Sequence, residues 1–185
     1  MDSIEVAIEE VKKGNSEPFA IIINEFQQQL FFYCYHMLGN IHEAEEAVQE
    51  TFFRAYRKIY TYQKTVSFSA WLYKIAYNHC VNIIRRKKLI RFLPFTDGVK
   101  YYKAGIDKEF AGNELNEELC DALESLSPEE RHIIILRIVK EKSHEEISTM
   151  LNIKPSTVRK KYERAIKKLR VSVSVNKGGI INETI

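Results

Sequence analysis

Two groups of side chains in this 185-residue sequence are spaced to share a helix face, and their chemistry is that of recognition rather than bond making. Glu46, Gln49, Glu50 and Phe53 step by three, one and three residues, so a helix gathers them into one patch of acid and amide beside an aromatic ring. Lys74, Asn78, Asn82 and Arg85 share another face, preceded by Trp71, Tyr73 and Tyr77 and followed by Arg86, Lys87 and Lys88. Rings stack on unpaired bases, amides read base edges and cations hold phosphates, which is the set needed to grip an opened strand. A third group, Arg159, Lys160, Glu163 and Arg164, lies in "KPSTVRKKYERAIKKLR", residues 154–170, where eight side chains are basic and one is acidic.

Each group also has a plainer reading. The acidic patch is either the solvated side of a core helix or a surface kept acidic to meet a basic partner, and periodicity alone leaves both open. Trp71 fits a core anchor as well as a strand contact, and the two asparagines fit surface filler. The distribution of charge argues for recognition. The net charge is only +3, yet "RRKKLIR" at 85–91 has five basic residues and no acid, while 105–130 has nine acids and one lysine. Two basic poles separated by acid suit two contacts with a polyanion.

Other chemistries are poorly served. Cys34, Cys80 and Cys120 are far apart and odd in number, which excludes a disulfide framework and a Cys-x-x-Cys knuckle. Cys34 with His36, and His79 beside Cys80, fall in apolar helical patterns that favour core roles over metal ligation. A hydrolase or metal enzyme built on His36, His42, His79, His132 or His144 has only these pairs to support it. No nucleophile triad, carboxylate pair or phosphate loop is evident, "KGNS" at 13–16 included, so the expectation is no enzyme, no cofactor and no small-molecule substrate. The apolar runs are far shorter than the roughly 20 residues of a membrane span, and acidic residues follow Met1. A soluble, cytoplasmic protein without a secretory signal is expected.

The elements that must position these groups read as helix nearly throughout. Ile22, Ile23, Phe26, Leu30, Tyr33, Cys34, Met37 and Leu38 keep steps of one, three and four until Gly39-Asn40. A second helix is predicted over about 41–59, with Ala44, Val48, Phe52, Ala55 and Ile59 inside, and a third over about 68–87, burying Phe68, Trp71, Leu72, Ile75, Ala76 and Ile83. Three such helices pack as one bundle. From Lys88 to about Asn113 periodicity lapses among Pro94, Gly98, Gly105 and Gly112, which reads as a flexible linker. Leu115, Leu119, Ala122, Leu123 and Leu126 resume a helical stripe. Ser127-Pro128-Glu129-Glu130 and Ser143-His144-Glu145-Glu146 are two capping boxes, hence two short helices around a second core.

After Ser143 the order helix, break at "NIK", helix from Pro155 is a helix-turn-helix. Val158, Tyr162 or Ala165, and Leu169 face inward. Arg159, Lys160, Glu163 and Arg164 face outward, as on a helix that enters the DNA major groove. Lys154 is a poor N-cap for that helix. The fold class expected is all-α, with two small helical domains, a bundle and then a helix-turn-helix bundle, joined by a flexible linker.

"EAEEAVQETFFRAYRKI", "FSAWLYKIAYNHCVNIIRRKK" and "LESLSPEERHIIILRIVKEKSHEEISTMLNIKPSTVRKKYERAIKKLR" together resemble regions two and four of bacterial extracytoplasmic-function (ECF) sigma factors of the sigma-70 family. The resemblance covers roughly 16–88 and 115–170. Glu46 stands where many members have Asp, and Ser156 where many have Gly. It implies a region-two domain over 1–88, a linker over 89–113 that threads toward the polymerase active-site channel, a region-four domain over 114–170 and an unread tail, 171–185. It further implies an alternative sigma factor whose Glu46, Gln49, Glu50 and Phe53 dock on the β′ coiled coil of core RNA polymerase, with the β subunit also in contact. Trp71, Lys74, Asn78, Asn82, Arg85 and Arg86, with the loop before them, would then hold the melted −10 strand. Arg159, Lys160, Glu163 and Arg164 would read the −35 element, and an anti-sigma factor would hold the chain in reserve. A free repressor or activator, which needs no polymerase, would leave the acidic patch and the Trp71/Asn78 face without a purpose.

Overall fold

A computed structural model describes residues 3–91 and 115–179. Every regular element among them is helical. They divide between two compact units. The first contains α1 (Ser3–Lys12), α2 (Phe19–Leu38), α3 (Ile41–Lys58) with a 3₁₀ turn at Ile59–Thr61, and α4 (Phe68–Arg91). The second contains α5 (Leu115–Glu124), α6 (Pro128–Ile134) running into a π turn at Ile135–Val139, α7 (His144–Leu151) and α8 (Pro155–Gly179).

The core of the first unit forms where the apolar stripes meet. Ile8, Ile22, Leu30, Tyr33, Met37, Ile59 and Leu72 are fully buried. The sulfurs of Cys34 and Cys80 hydrogen-bond one another in this core, and that bond together with burial raises the Cys34 thiol well above its ordinary range. Both are packing residues. Gly39, at φ +69°, ends α2 in the left-handed region that a side chain would strain. Ser67 opens α4 by accepting the Ala70 N–H on its hydroxyl.

Several expectations are corrected here. α1 has no counterpart among the predicted helices, yet Ala7, Ile8 and Val11 seat it on α2 and on the turn after α3. α4 runs to Arg91, beyond the predicted helix end at about 87, because no helix breaker occurs before Pro94; the segment after Arg91 lies outside the described residues. Tyr73 points into the core, not along the face of Asn78 and Asn82: it is 2% exposed, and its ring meets Tyr33 edge-on at 5.1 Å. Trp71, Ile75 and Ile83 are half-buried rather than fully inside. Leu119, placed on the α5 stripe, is exposed. The tail that carried no reading is helical through Gly179, and 180–185 lie outside the described residues.

In the second unit both capping boxes form. Ser127 Oγ accepts the Glu130 N–H at 3.3 Å while Glu130 Oε2 accepts the Ser127 N–H at 3.0 Å, and Ser143 and Glu146 repeat the exchange at 3.1 and 2.8 Å. Asn152 closes α7 in the left-handed region, at φ 56°. Lys154 opens α8 through its backbone carbonyl, which accepts the Thr157 and Val158 N–H groups. Leu123, Ile133, Ile135, Leu136, Ile147 and Val158 are buried around this turn. Replacing Ser143 by Ala removes one cap without touching the core, so the Ser143→Ala chain is expected to lose about 1 kcal/mol in the second unit, measured as faster amide hydrogen exchange at the start of α7.

Candidate docking and nucleic-acid interfaces

The amphipathic α3 turns Ala44, Ala47, Thr51, Phe52 and Ala55 inward and leaves the acidic face outside. Glu46 and Gln49 are exposed, and Phe53 presents 55% of its surface. The four predicted docking residues therefore occupy one continuous helix face. Its charges are not equivalent. Glu50 Oε1 accepts from Arg54 Nε at 2.6 Å, and the Arg57 guanidinium covers the Phe53 ring at 5.6 Å. Glu43 is committed elsewhere, in a largely buried ion pair with Lys87 of α4 that ties the two helices together. No cation lies within ion-pair distance of Glu46 among the described residues, in contrast to Glu43 and Glu50 on the same helix.

On α4, Asn78, Asn82, Arg85 and Arg86 are exposed and Lys74 is half-buried. Trp71 belongs to a ring cluster, 5.4 Å from Phe68 and 5.5 Å from Tyr62, that fixes its indole while leaving part of it accessible. Core anchoring and strand contact are thus compatible for this residue. His79, for which the residue pattern favours a core role, is half-buried on α4 and faces charged groups of α3. Burial first, and then Arg54 and Arg86, push its imidazole below its ordinary value, against the opposing pull of Glu50 and Glu46. That shift favours the neutral imidazole over a further cation beside the acidic face.

The loop ahead of α4 supplies surface that the residue pattern did not single out. Tyr62 Oη donates to Val66 O at 2.9 Å, closing the loop on itself. α1 holds it from outside through Glu5 with Lys64 at 3.6 Å and through Lys12 over the Tyr62 ring at 5.5 Å. A cleft of about 490 Å³ lies between them, lined in part by Glu5, Glu25, Phe26, Thr65 and Ser67.

On α8, Arg159, Lys160, Glu163 and Arg164 are all exposed, opposite buried Val158 and Ala165. Two other lysines of the basic run serve structure instead: Lys161 pairs with Glu129 at 2.9 Å and Lys168 with Glu130 at 2.8 Å, clamping α8 to α6. Tyr162 lies between His144, with ring centroids 5.7 Å apart, and the Arg137 guanidinium at 5.9 Å, which ties α8 to α7 and to the π turn. The outward four are thereby mounted on a rigid helix.

A helical bundle with an acidic α3 face and an amide-and-cation α4 face, followed by a helix-turn-helix unit, is the arrangement expected of a promoter-binding transcription factor of the sigma type. Residues 22–90 match the family model for sigma-70 region 2, and residues 116–169 match that for sigma-70 region 4. The chain is 36% identical over 177 residues to the ECF RNA polymerase sigma factor SigW of Bacillus subtilis (strain 168), spanning 90% of this chain and 95% of that one. Two solved structures share its fold. CnrH in complex with the cytosolic domain of CnrY superposes with a TM-score of 0.70 at 18% identity, covering 94% of this chain and 99% of that one. RpoE in complex with the anti-sigma factor NepR from Bartonella quintana superposes with a TM-score of 0.69 at 22% identity, covering 85% and 97%. The chain belongs to the ECF sigma factors of the sigma-70 family, whose work is promoter recognition and transcription initiation with core RNA polymerase. No described helix is long and apolar enough to cross a membrane.

Proposed function

We propose that the two units divide this work. In the first, Glu46, Gln49, Glu50 and Phe53 dock on a basic surface of core polymerase, the β′ coiled coil, while Trp71, Lys74, Asn78, Asn82, Arg85, Arg86 and the loop ahead of them hold the unpaired −10 strand. In the second, Arg159, Lys160, Glu163 and Arg164 read duplex −35 DNA. The boundaries go with this division: 1–88 for docking and −10 capture, 89–113 as linker, 114–170 for the −35 element. The chain works in the cytoplasm and leaves bond chemistry to the polymerase. The observation that carries the proposal is the acid-and-aromatic face of α3 beside the amide-and-cation face of α4 on one bundle. A duplex-binding regulator has no use for the first of these faces.

The test is a mobility shift of promoter DNA by the chain with and without core polymerase. A specific shift that requires core polymerase supports the proposal; an equally strong one by the chain alone makes it a free regulator. Base capture predicts a further outcome. An Asn78→Ala, Asn82→Ala chain is expected to bind core polymerase normally but to form open promoter roughly thirtyfold less, consistent with about 1 kcal/mol for each of two lost hydrogen bonds, as read by permanganate reactivity of unpaired thymines. Melting at the wild-type level would remove both residues from strand capture. The two structural relatives were solved with CnrY and with the anti-sigma factor NepR; by analogy an anti-sigma factor holds this chain until it is needed.

A further inference from the structure

Glu163 is an odd residue on the outward face of a helix meant to lie against DNA, because a carboxylate there repels phosphate. Its partner explains it. Arg159, one turn earlier on α8, donates its Nε–H to Glu163 Oε1 at 3.0 Å, with the two side chains 72% and 59% exposed. An exposed i,i+4 pair does little for the free protein, so its effect must be sought in the bound state. Arginine has one side-on edge, Nε with one Nη, and one end-on edge, the two Nη groups. In this pair Nε is occupied, which leaves the end-on edge as the one available for a second partner. That edge matches the O6 and N7 acceptors of guanine in the major groove. A phosphate approaching the same guanidinium would meet the Glu163 carboxylate as well, so the pair disfavours backbone contact by Arg159.

We infer that Glu163 is a positioning residue that makes Arg159 a guanine reader rather than a phosphate contact. The inference rests on the proposed reading of α8 as the −35 recognition helix, and it divides labour among residues that this reading treats alike. Arg159 selects the base, Glu163 aims Arg159, and Lys160, on the same face without an acid partner among the described residues, holds phosphate.

The experiment selects −35 sequences from a randomised promoter library with core polymerase and the full-length chain, as wild type, Arg159→Ala, Glu163→Ala and Glu163→Gln, and then measures the salt dependence of binding to the selected site. The wild type is expected to prefer one guanine roughly ten- to a hundredfold. Arg159→Ala abolishes that preference, Glu163→Ala weakens it several-fold, and Glu163→Gln, which keeps an acceptor for Nε, retains most of it. With Glu163→Ala the released guanidinium turns to the backbone, and the slope of log K against log salt steepens by about one phosphate contact. Four results overturn the inference: no guanine preference in the wild type, an unchanged preference and slope in Glu163→Ala, a loss in Glu163→Gln as large as in Glu163→Ala, or a changed preference at another base pair with the guanine intact. If Arg159→Ala leaves the whole profile unaltered, the reading of this helix face fails along with it. If only the Glu163 variants behave as wild type, that reading survives and the positioning role alone is lost.

Discussion

Reversing Glu46 and Glu50 to lysine is expected to abolish capture of core RNA polymerase while leaving the chain helical. Each reversal adds two charges, so the pair takes the formal net charge from +3 to +7. At the surface the change is larger than this count suggests, because loss of the Glu50 carboxylate also releases Arg54, now held at 2.6 Å, as a further cation on the same face. Against a basic partner, attraction becomes repulsion. Like charges brought together at an interface cost several kcal/mol, a loss in affinity on the order of a hundredfold or more. Both side chains reach solvent, so the bundle has no packing to lose, and circular dichroism should show an unchanged helix signal. The control is Glu17→Lys with Glu145→Lys, which gives the same net charge at exposed positions on other surfaces. Capture by the control and loss in the docking pair would place the partner on α3. Equal loss in both would make the effect one of total charge and remove Glu46 and Glu50 from the interface.

What could be read from the residues alone depended on how far apart the determinants lie in the chain. The limits of α2 follow from a one-sided apolar stripe ending at Gly39, and both Ser-x-x-Glu boxes are written within four residues. Glu50 with Arg54 is a determinant of the same local kind, a carboxylate four residues before an arginine. The ties that place α3 against α4 and α8 against α6 are different. Glu43 with Lys87, Glu129 with Lys161 and Glu130 with Lys168 join residues 44, 32 and 38 positions apart, and only tertiary packing brings them together. Hence a basic run that looks uniform in sequence separates into structural lysines and outward cations only in three dimensions. α1 escaped because it is ten residues long, acidic on one side and apolar at just a few inner positions, with Val6 exposed as well. Tyr73 does not share the face of Trp71 because two residues along a helix turn the side chain by about 200°, here into the core. His79 carries no local signature at all, since its environment is made by Arg54, Arg86 and two glutamates from two helices.

Glu130 is where the second unit should prove most fragile to a single polar substitution. It is 8% exposed and closes the capping box of α6 through the Ser127 N–H, while both of its carboxylate oxygens accept from Lys168 Nζ at 2.8 Å. Glu130→Ala therefore removes a cap worth about 1 kcal/mol and the acceptor of a charge-assisted pair worth somewhat more, discounted because half of Lys168 is in water. A loss of about 2–3 kcal/mol is expected, a large share of what a core this small supplies. Glu130→Gln keeps the cap and forfeits only the charge, so it should cost about 1 kcal/mol. The two variants also differ from wild type in their response to acid. Burial on its own would raise the Glu130 carboxyl, but Lys168 and the Ser127 N–H and hydroxyl outweigh it and hold the group below its ordinary 4.5. A carboxylate depressed in the folded state contributes its full stability above the unfolded value and loses it as pH falls through the folded one. Wild type should thus weaken progressively below about pH 4.5, while neither variant has this contribution to lose. Trp71 is the sole tryptophan and sits in the first unit, so its fluorescence follows that unit while far-ultraviolet circular dichroism follows both. In urea titrations at pH 7 the Glu130→Ala chain should lose part of its helix signal at lower denaturant with the Trp71 transition unmoved. Coincident shifts of both signals, or none, would mean that the Glu130 clamp does not stabilise the DNA-binding unit in the way its geometry implies.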